Sequence, residues 1–266
     1  APAREIEPAF ARAGALVFSN ASAFRMEPDV PLLVAEVNGE HLALIERQRA
    51  LRNWRGAIVC NPNCTAAVLV MALAPLHAAF GIEQIVVTSM QAVSGAGYPG
   101  VASLDILGNG VPFIGGEEAK VEAETCKTLG KLAGGEIAAA PISVSAMCNR
   151  VPVIDGHSES VSIRLRGSPA TGAVREVLAS WRAEPQKLAL PSAPAFPLRI
   201  HEAEDRPQPR LDVERDGGMS VHVGRIRACA VLGTKFQFLG SNLERGAAGC
   251  SVLNAELAYA RGLLTR

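Results

Sequence analysis

The sequence lacks the features that would place the protein in a membrane or on a nucleic acid. Its 266 residues contain no apolar run of about 20 residues, the length that a bilayer-spanning helix needs. Basic and acidic residues both number 26, so no excess of positive charge favours a nucleic acid or an anionic lipid surface. The first ten residues, APAREIEPAF, do not have the pattern of a secretory signal. We therefore expect a cytoplasmic protein with no membrane or nucleic-acid partner.

Cysteines are too few and too widely spaced to form a disulfide framework, and we expect free thiols in a reducing compartment. Two of the cysteines are separated by only three residues, but no second pair of cysteines or histidines stands at zinc spacing. The pattern therefore gives no metal site. The six cysteines are Cys60, Cys64, Cys126, Cys148, Cys229 and Cys250.

Hydrophobic residues make up 48% of the chain and charged residues 20%, which predicts a folded protein with a substantial core. In the first quarter, AREIEPAFARAG predicts a helix that Gly14 ends, and EHLALIERQRALRNW predicts an amphipathic helix. The apolar stretches ALVFSN, VPLLVAEVN and GAIVCNPN predict short strands. Alternation of helices with such strands indicates a parallel, doubly wound sheet.

The rest of the chain has a different rhythm. CTAAVLVMALAPLHAAFG predicts a helix that Pro75 kinks or ends, and IEQIVVTSMQAVSG predicts a long strand. GGEEAKVEAETCKTLGKL predicts a polar helix, and β-branched residues dominate from IAAAPISVSAMCNR onward, as in a sheet with one exposed face. The stretch NLERGAAGCSVLNAELAYARGLL predicts a long helix. We therefore expect part of an α/β domain, an α+β domain and a final helix.

Gly95, Gly97 and Gly100 satisfy the pattern G-x-G-x-x-G, which in a dinucleotide-binding domain joins a strand to a helix. Here Pro99 lies inside the pattern, and VASLDILGNG after it does not predict a convincing helix. The pattern therefore does not identify a dinucleotide fingerprint. Two interpretations stay open, a flexible loop and a loop whose backbone amides approach a ligand.

Cys64 lies in NPNCTAAVLV, where a polar cluster runs directly into a buried helix. Asn63 or Thr65 can cap this helix, and the free amides of its first turn stabilise a thiolate. A thiolate there is a plausible nucleophile toward a carbonyl group. The alternative is a small core residue with no role in chemistry.

The stretch NRVPVIDGHSES places Arg150 and His157 on either side of a tight Asp-Gly turn. A histidine can exchange the proton of a nucleophilic thiol, and an arginine can bind a carboxylate through both of its terminal nitrogens. Glu117 precedes Lys120 by three residues, on one helix face. The alternatives are a structural histidine and a solvent-exposed ion pair.

Taken together, successive motifs of this chain resemble those of the aspartate-semialdehyde dehydrogenase family, in the form common to archaea and fungi. The resemblance covers nearly the whole chain, with the motifs in order. They are SNASAFRM, NPNCTA, QAVSGAG, GGEEAKVEAETCK, CNRVPVIDGHSES and RGAAGCSVLNAEL.

The resemblance implies a fold in two parts. Residues 1–63 with 241–266 would be the remainder of a Rossmann-type NADP-binding domain, a doubly wound parallel sheet. Residues 64–240 would be an α+β catalytic and dimerisation domain with a mixed sheet. The glycine-rich G-x-x-G-x-x-G loop with which the family begins is absent from this sequence. We therefore expect that the chain opens inside the cofactor domain and by itself does not turn over NADPH.

The resemblance also implies catalytic and substrate-binding residues. Cys64 matches the nucleophile, His157 the general acid and base, and Gln91 the residue that orients the substrate next to the thiol. Arg150 matches the side chain that binds the α-carboxylate of the substrate, and Glu117 matches one near its amino group.

For the other two ligands, the resemblance implies five further residues. Arg25 and Lys120 match the cations that hold phosphate. Ser94 and Gly95 match a loop along the cofactor, and Asn242 matches a contact near the nicotinamide. The glycine-rich loop that is not a fingerprint would therefore still touch NADP.

The implied reaction converts L-aspartate 4-semialdehyde, phosphate and NADP⁺ reversibly into 4-phospho-L-aspartate and NADPH, through a thioester on Cys64. Biosynthesis of lysine, threonine and methionine runs it in reverse. A homodimer or homotetramer is implied. Three alternatives remain: a malonyl-CoA reductase, an N-acetyl-glutamyl-phosphate reductase, whose cysteine motif differs from NPNCTA, and a non-catalytic fragment. Arg150 with Glu117 favours an amino-acid substrate over malonyl-CoA.

Overall fold

The computed structural model of the protein describes residues 2–264. No helix in this range is both long and apolar enough to cross a membrane. The α-helices are α1 (Ala3–Ala13), α2 (Ala35–Asn38), α3 (Leu44–Arg52), α4 (Cys64–Phe80), α5 (Ser103–Ile106), α6 (Glu117–Thr128), α7 (Thr171–Ser180), α8 (Glu184–Lys187), α9 (Pro209–Asp212) and α10 (Ala248–Ala260). The strands are β1 (Leu16–Ser19), β2 (Ala57–Cys60), β3 (Ile82–Gln91), β4 (Lys131–Ala133), β5 (Glu136–Ala138), β6 (Ser143–Arg150), β7 (His157–Leu165), β8 (Leu198–Ile200), β9 (Val221–Cys229) and β10 (Gly233–Gly240).

Strands β1 and β2 form a parallel pair with helices on both of its faces. Every residue of β2 is buried, and its side chains alternate between two apolar clusters. Ala57 and Val59 pack with residues of α3 and α10, while Ile58 and Cys60 pack with α1 and the segment after β1. Burial on both faces is the mark of a parallel sheet in an α/β domain, as the sequence predicted.

The predicted strand in VPLLVAEVN is wrong. Only Leu32 forms a bridge, to Cys60, and the chain then turns into α2. The Asn38 side chain accepts a hydrogen bond from the Val34 amide and donates one to the Leu32 carbonyl. It thereby satisfies backbone groups that a neighbouring strand would otherwise pair.

The second region is a mixed six-stranded sheet in the order β6-β3-β7-β10-β9-β8. β3 with β6 and β8 with β9 are parallel pairs, and the other neighbours are antiparallel. Helices α4, α6 and α7 cover one face and enclose the main apolar cluster. The other face exposes Val86 and Met147. This arrangement confirms the predicted mixed sheet with one open face.

The long apolar helix α4 continues through Pro75 to Phe80, with Gly81 as its C-cap, so of the two predicted effects of the proline, a kink or an end, the end is wrong. Its residues 65–73 are all buried, because the helix lies between the six-stranded sheet and α2, α6 and α7. Tertiary packing on several sides stabilises the helix where a missing backbone donor would weaken an isolated one.

The chain returns to the first region through residues 241–247 and α10, which packs on β1. Arg245 in this return segment is fully buried and donates two hydrogen bonds to Glu36 of α2, at 2.7 and 2.8 Å. A third bond goes from Arg245 Nε to the Met219 carbonyl. Because a buried charge needs its partner, this ion pair fixes where the segment crosses the site described next.

Candidate active site

Cys64 is the first residue of α4, as the sequence predicted. The Asn63 side-chain oxygen accepts hydrogen bonds from the Thr65 and Ala66 amides, at 3.0 and 3.3 Å, and so caps the helix. Of the two candidate caps, Asn63 is therefore the one used. The cap sets the orientation of the turn that presents the thiol.

His157 faces this thiol. Its Nε2 atom lies 3.3 Å from Cys64 Sγ, although 93 residues separate the two in sequence. On the other side of the ring, Nδ1 accepts a hydrogen bond from the Ala92 amide at 3.2 Å. A neutral ring held this way carries its proton on Nε2 and directs it at the sulfur. Burial, and then the nearby Arg150 charge, lower the pKa of His157 to about 3, so the ring is neutral at pH 7.

The protonation state of Cys64 differs from the sequence-based prediction. Burial, and then the Glu117 carboxylate, raise the pKa of the Cys64 thiol to about 12, although the Thr65 amide acts in the opposite direction. The helix N-terminus is present, but desolvation outweighs it. In the free protein the thiol therefore keeps its proton.

Gln91 and Glu117 lie together beside the thiol. Gln91 Nε2 donates to Ser89 Oγ and to Glu117 Oε1, both at 3.2 Å. The same Glu117 oxygen accepts from Asn63 Nδ2 at 2.9 Å. Glu117 is buried, and its ion pair with half-exposed Lys120 is long, at 3.9 Å. The pair is thus more than a solvent-exposed contact, because its carboxylate belongs to the buried network around Cys64.

Arg150 ends β6 directly opposite Gln91 of β3. It is buried, and its Nη1 donates to the Ala92 carbonyl at 2.7 Å. A Cβ atom at Gly95 would lie 2.9 Å from both Arg150 Nη1 and His157 Cε1. The loop therefore needs glycine at this position because its backbone packs directly on two site residues.

The return segment closes the other side of the site. Asn242 Nδ2 donates to Ser94 Oγ, and Asn242 Oδ1 accepts from the Gly156 amide, both at 2.9 Å. A Cβ atom at Gly246 would lie 2.7 Å from Cys64 Cβ. Ser94 and Asn242, expected at the cofactor, are thus in contact with each other, and Asn242 lies against Gly246, which packs on Cys64.

Arg25 lies at the edge of the site and is buried. Its Nη1 donates to Glu124 Oε1 at 3.2 Å and its Nη2 to the Asn20 carbonyl at 2.6 Å. Glu124 Oε2 accepts from the Asn63 amide at 2.5 Å, so one carboxylate joins Arg25 to the residue before Cys64. Lys120 reaches the same network through Glu117.

Sequence reasoning missed several residues of this site. Ser89 and Glu124 are hydrogen-bonded into the network, and Gly246 packs on the nucleophile. Glu159 is fully buried two residues after His157, and neither of its carboxyl oxygens has a hydrogen-bond partner within residues 2–264. The small residues of RGAAG could have indicated the close packing at Gly246. The places of Ser89, Glu124 and Glu159 in the site depend on tertiary contacts, which the sequence does not reveal.

The fold and the family models together define an α/β enzyme of the semialdehyde dehydrogenase class. The family model described as "Semialdehyde dehydrogenase, dimerisation domain" matches residues 73–243, and that described as "Semialdehyde dehydrogenase, NAD binding domain" matches residues 2–45. The chain belongs to the aspartate-semialdehyde dehydrogenase family and is an oxidoreductase, which confirms the resemblance seen in the sequence.

Relatives with this name span most of the chain. The aspartate-semialdehyde dehydrogenase of Methanothermobacter thermautotrophicus is 52% identical over 257 residues, which is 96% of this chain and 74% of that protein. That of Archaeoglobus fulgidus is 53% identical over 255 residues, 96% of this chain and 73% of the relative.

Solved structures show the same fold. The Candida albicans enzyme crystallised with NADP superimposes with a TM-score of 0.90 at 42% identity, over 98% of this chain and 76% of that one. Aspartate semialdehyde dehydrogenase II of Vibrio cholerae, complexed with ASA, gives a TM-score of 0.79 at 29% identity, over 97% of this chain and 76% of that one.

Proposed function

We propose that the protein catalyses the reversible, NADP-dependent conversion of L-aspartate 4-semialdehyde and phosphate into 4-phospho-L-aspartate. The observation that carries this proposal is the 3.3 Å approach of Cys64 Sγ to His157 Nε2, next to buried Arg150 and Glu117. A thiol, a proton-exchanging group, a cation and an anion are what a thioester mechanism on an amino-acid aldehyde requires.

The charges beside the thiol fit the two ends of the substrate. Arg150 has one terminal nitrogen on the Ala92 carbonyl, and its other nitrogens remain for the α-carboxylate. Glu117 is a buried carboxylate whose ion pair with Lys120 is long, and it suits the α-ammonium group. Malonyl-CoA has no ammonium group, so this pair supports the amino-acid substrate.

In the first half of the reaction, Cys64 Sγ adds to the aldehyde carbon. His157 donates its Nε2 proton to the carbonyl oxygen and takes the thiol proton in exchange. Bound NADP⁺ would supply the hydride acceptor for that carbon. His157 receives the hydroxyl proton, which passes to solvent. A thioester on Cys64 remains.

In the second half, a phosphate oxygen attacks the thioester carbon and the Cys64 sulfur leaves. We assign phosphate binding to Arg25 and Lys120. Arg25 is supported by its link through Glu124 to the turn of Cys64, and Lys120 by its place one helical turn after Glu117. Two cations at this point would neutralise the attacking anion and orient it toward the thioester.

We assign the nicotinamide end of NADP to Ser94, Gly95 and Asn242. Ser94 and Asn242 are hydrogen-bonded to each other beside Cys64, and Gly95 brings backbone against Arg150 and His157. These residues fit a planar ring that must lie within reach of a carbon bound to Sγ.

We further propose a division into residues 1–63 with 241–266 as cofactor domain and 64–240 as catalytic and dimerisation domain. The match to a dimerisation domain supports oligomerisation, and we propose a homodimer or homotetramer. The exposed Val86 and Met147 on the open sheet face support an interface there. Six unpaired cysteines support a cytoplasmic location.

The test is a spectrophotometric assay of NADPH formation with the semialdehyde, phosphate and NADP⁺, by the purified chain joined to an N-terminal segment that carries the glycine-rich loop of the family. We expect turnover that requires phosphate and that Cys64→Ser abolishes, with malonyl-CoA inactive in the reverse direction. If malonyl-CoA is reduced with a higher kcat/KM than 4-phospho-L-aspartate, the proposed substrate is wrong and malonyl-CoA is the substrate. Binding of semialdehyde without turnover would indicate a non-catalytic chain.

A further inference from the structure

One face of helix α6 contacts three parts of the active site: Gln91, the Asn63 cap of α4, and Arg25. Glu117, Lys120, Glu124 and Lys127 are spaced by three, four and three residues, which places them along a single helical face. Glu117 reaches Gln91 and the Asn63 side chain near the start of this face. The other end of the face extends toward Arg25.

Glu124 is at the centre of this arrangement and is 2% exposed. Its Oε2 accepts from the Asn63 amide at 2.5 Å, and its Oε1 accepts from Arg25 Nη1 at 3.2 Å. Asn63 is the cap of α4 and precedes Cys64. The Glu124 carboxylate therefore joins the Arg25 side chain to the residue that precedes Cys64.

Lys127 holds the same segment from the other side. Its Nζ donates to the carbonyl oxygens of Arg25, Glu27 and Val30, at 2.7, 2.8 and 3.0 Å. The backbone and the side chain of Arg25 are thus each bound to α6. Arg25 Nε is buried and has no hydrogen-bond partner within residues 2–264, so a donor remains for a ligand.

We propose that Glu124 is a positioning residue for the phosphate-dependent half of the reaction. It holds the Arg25 guanidinium at a fixed place relative to Cys64, with Nε left without a protein partner within residues 2–264 as a donor for the incoming anion. This inference rests on the proposed role of Arg25 in phosphate binding. Glu124 itself does not touch the substrate and acts through Arg25.

Glu124→Gln tests the proposal at constant side-chain size. An amide has one acceptor oxygen, so it can keep the shorter bond from the Asn63 amide, but it then presents an NH₂ group to Arg25. Loss of this charge-assisted bond frees Arg25 to move. We expect the KM for phosphate, and the Kd for inorganic phosphate by calorimetry, to rise about tenfold. The KM for the semialdehyde and the burst of NADPH formed without phosphate should stay near the parent values.

Glu122→Gln is the matched control. Glu122 is on the same helix and also accepts a backbone amide, that of Ala146 at 3.0 Å, but it faces β6. We expect its phosphate KM to be unchanged. An unchanged phosphate KM in Glu124→Gln would overturn the proposal, as would an equal loss in the phosphate-free burst, which would show a general structural role.

Arg25→Lys separates this inference from the function on which it rests. If Arg25→Lys raises the phosphate KM and Glu124→Gln does not, the positioning role of Glu124 is wrong. If Arg25→Lys leaves the phosphate KM unchanged while the enzyme still turns over, the assignment of Arg25 to phosphate is wrong, and the inference about Glu124 is overturned with it. Thermal unfolding of each variant shows whether the fold is kept.

Discussion

The protonation states of single residues in the site depend more on burial than on the residues next to them in sequence. Asn63 could be predicted as a cap because a short polar side chain precedes an apolar helix. The charge of Cys64 could not, because the desolvation that raises its pKa comes from elements that are distant in sequence. The Cys64–His157 contact joins residues 93 positions apart and was expected only from the resemblance to a family.

Cys229, rather than Cys64, should be the first cysteine to react with iodoacetamide in the free protein at pH 7.5. Backbone amides of Leu232 and Val231 lower the pKa of Cys229 to about 7, whereas burial raises those of Cys64 and Cys60 to about 12. The thiolate is the reactive form. Peptide mapping of partly labelled protein measures the order, with Cys229→Ser as the control. Faster labelling of Cys64 would show that its thiol ionises without substrate.

Arg150→Lys should raise the KM for the semialdehyde about tenfold, because a lysine cannot bind a carboxylate with two parallel hydrogen bonds. It would also lose the bond to the Ala92 carbonyl. Steady-state kinetics with each substrate varied in turn provide the measurement. A raised KM for phosphate with an unchanged KM for the semialdehyde would move Arg150 to the phosphate site.

At the scale of elements, continuous apolar stretches bounded by polar residues and glycine predicted most helices and strands, including β1, β2 and α4. The prediction of a strand in VPLLVAEVN was wrong, because the Asn38 side chain forms the backbone hydrogen bonds that a neighbouring strand would otherwise form. The glycine pattern at Gly95 lies in a 3-10 turn and is followed only by the four-residue helix α5, unlike the strand-to-helix loop of a dinucleotide fingerprint. What that loop contacts could not be read from spacing, since Arg150 and His157 come from other strands.

Gly95→Ala should lower kcat at least tenfold with little change in thermal stability. The added methyl group would lie 2.9 Å from both Arg150 Nη1 and His157 Cε1 and must displace one of them. A small misplacement of a catalytic group is costly. Gly115→Ala is the control, because no atom lies within 4 Å of its Cβ position. Equal kcat values for both variants would contradict the close packing of the loop.

For the whole molecule, buried histidines predict a loss of stability in acid. Burial lowers the pKa of His157 to about 3 and that of His222 to about 4, against the ordinary value of 6.5. Between pH 6.5 and these values the unfolded chain binds more protons than the folded one, so stability falls as the pH falls. Buried Glu159, with its raised pKa, has the opposite effect above pH 4.5 and partly offsets this loss.

His157→Gln isolates the contribution of one histidine. The free energy of unfolding in urea should fall less steeply in the variant than in the parent protein between pH 6.5 and 4.5. The expected difference in slope is about 1.4 kcal/mol per pH unit, the value for one proton. The parent protein at matched pH values is the reference. Parallel slopes would show that His157 is already protonated in the folded protein.

The crossing of the return segment over Cys64 also has a consequence for biosynthesis. A ribosome makes Cys64 long before Asn242 and Gly246, and the nascent chain folds in that order. Until residues 241–254 have emerged, nothing packs on the Cys64 side chain where Gly246 later sits. The thiol is therefore more open to oxidants and disulfide exchange during translation than in the finished protein, where it is partly buried.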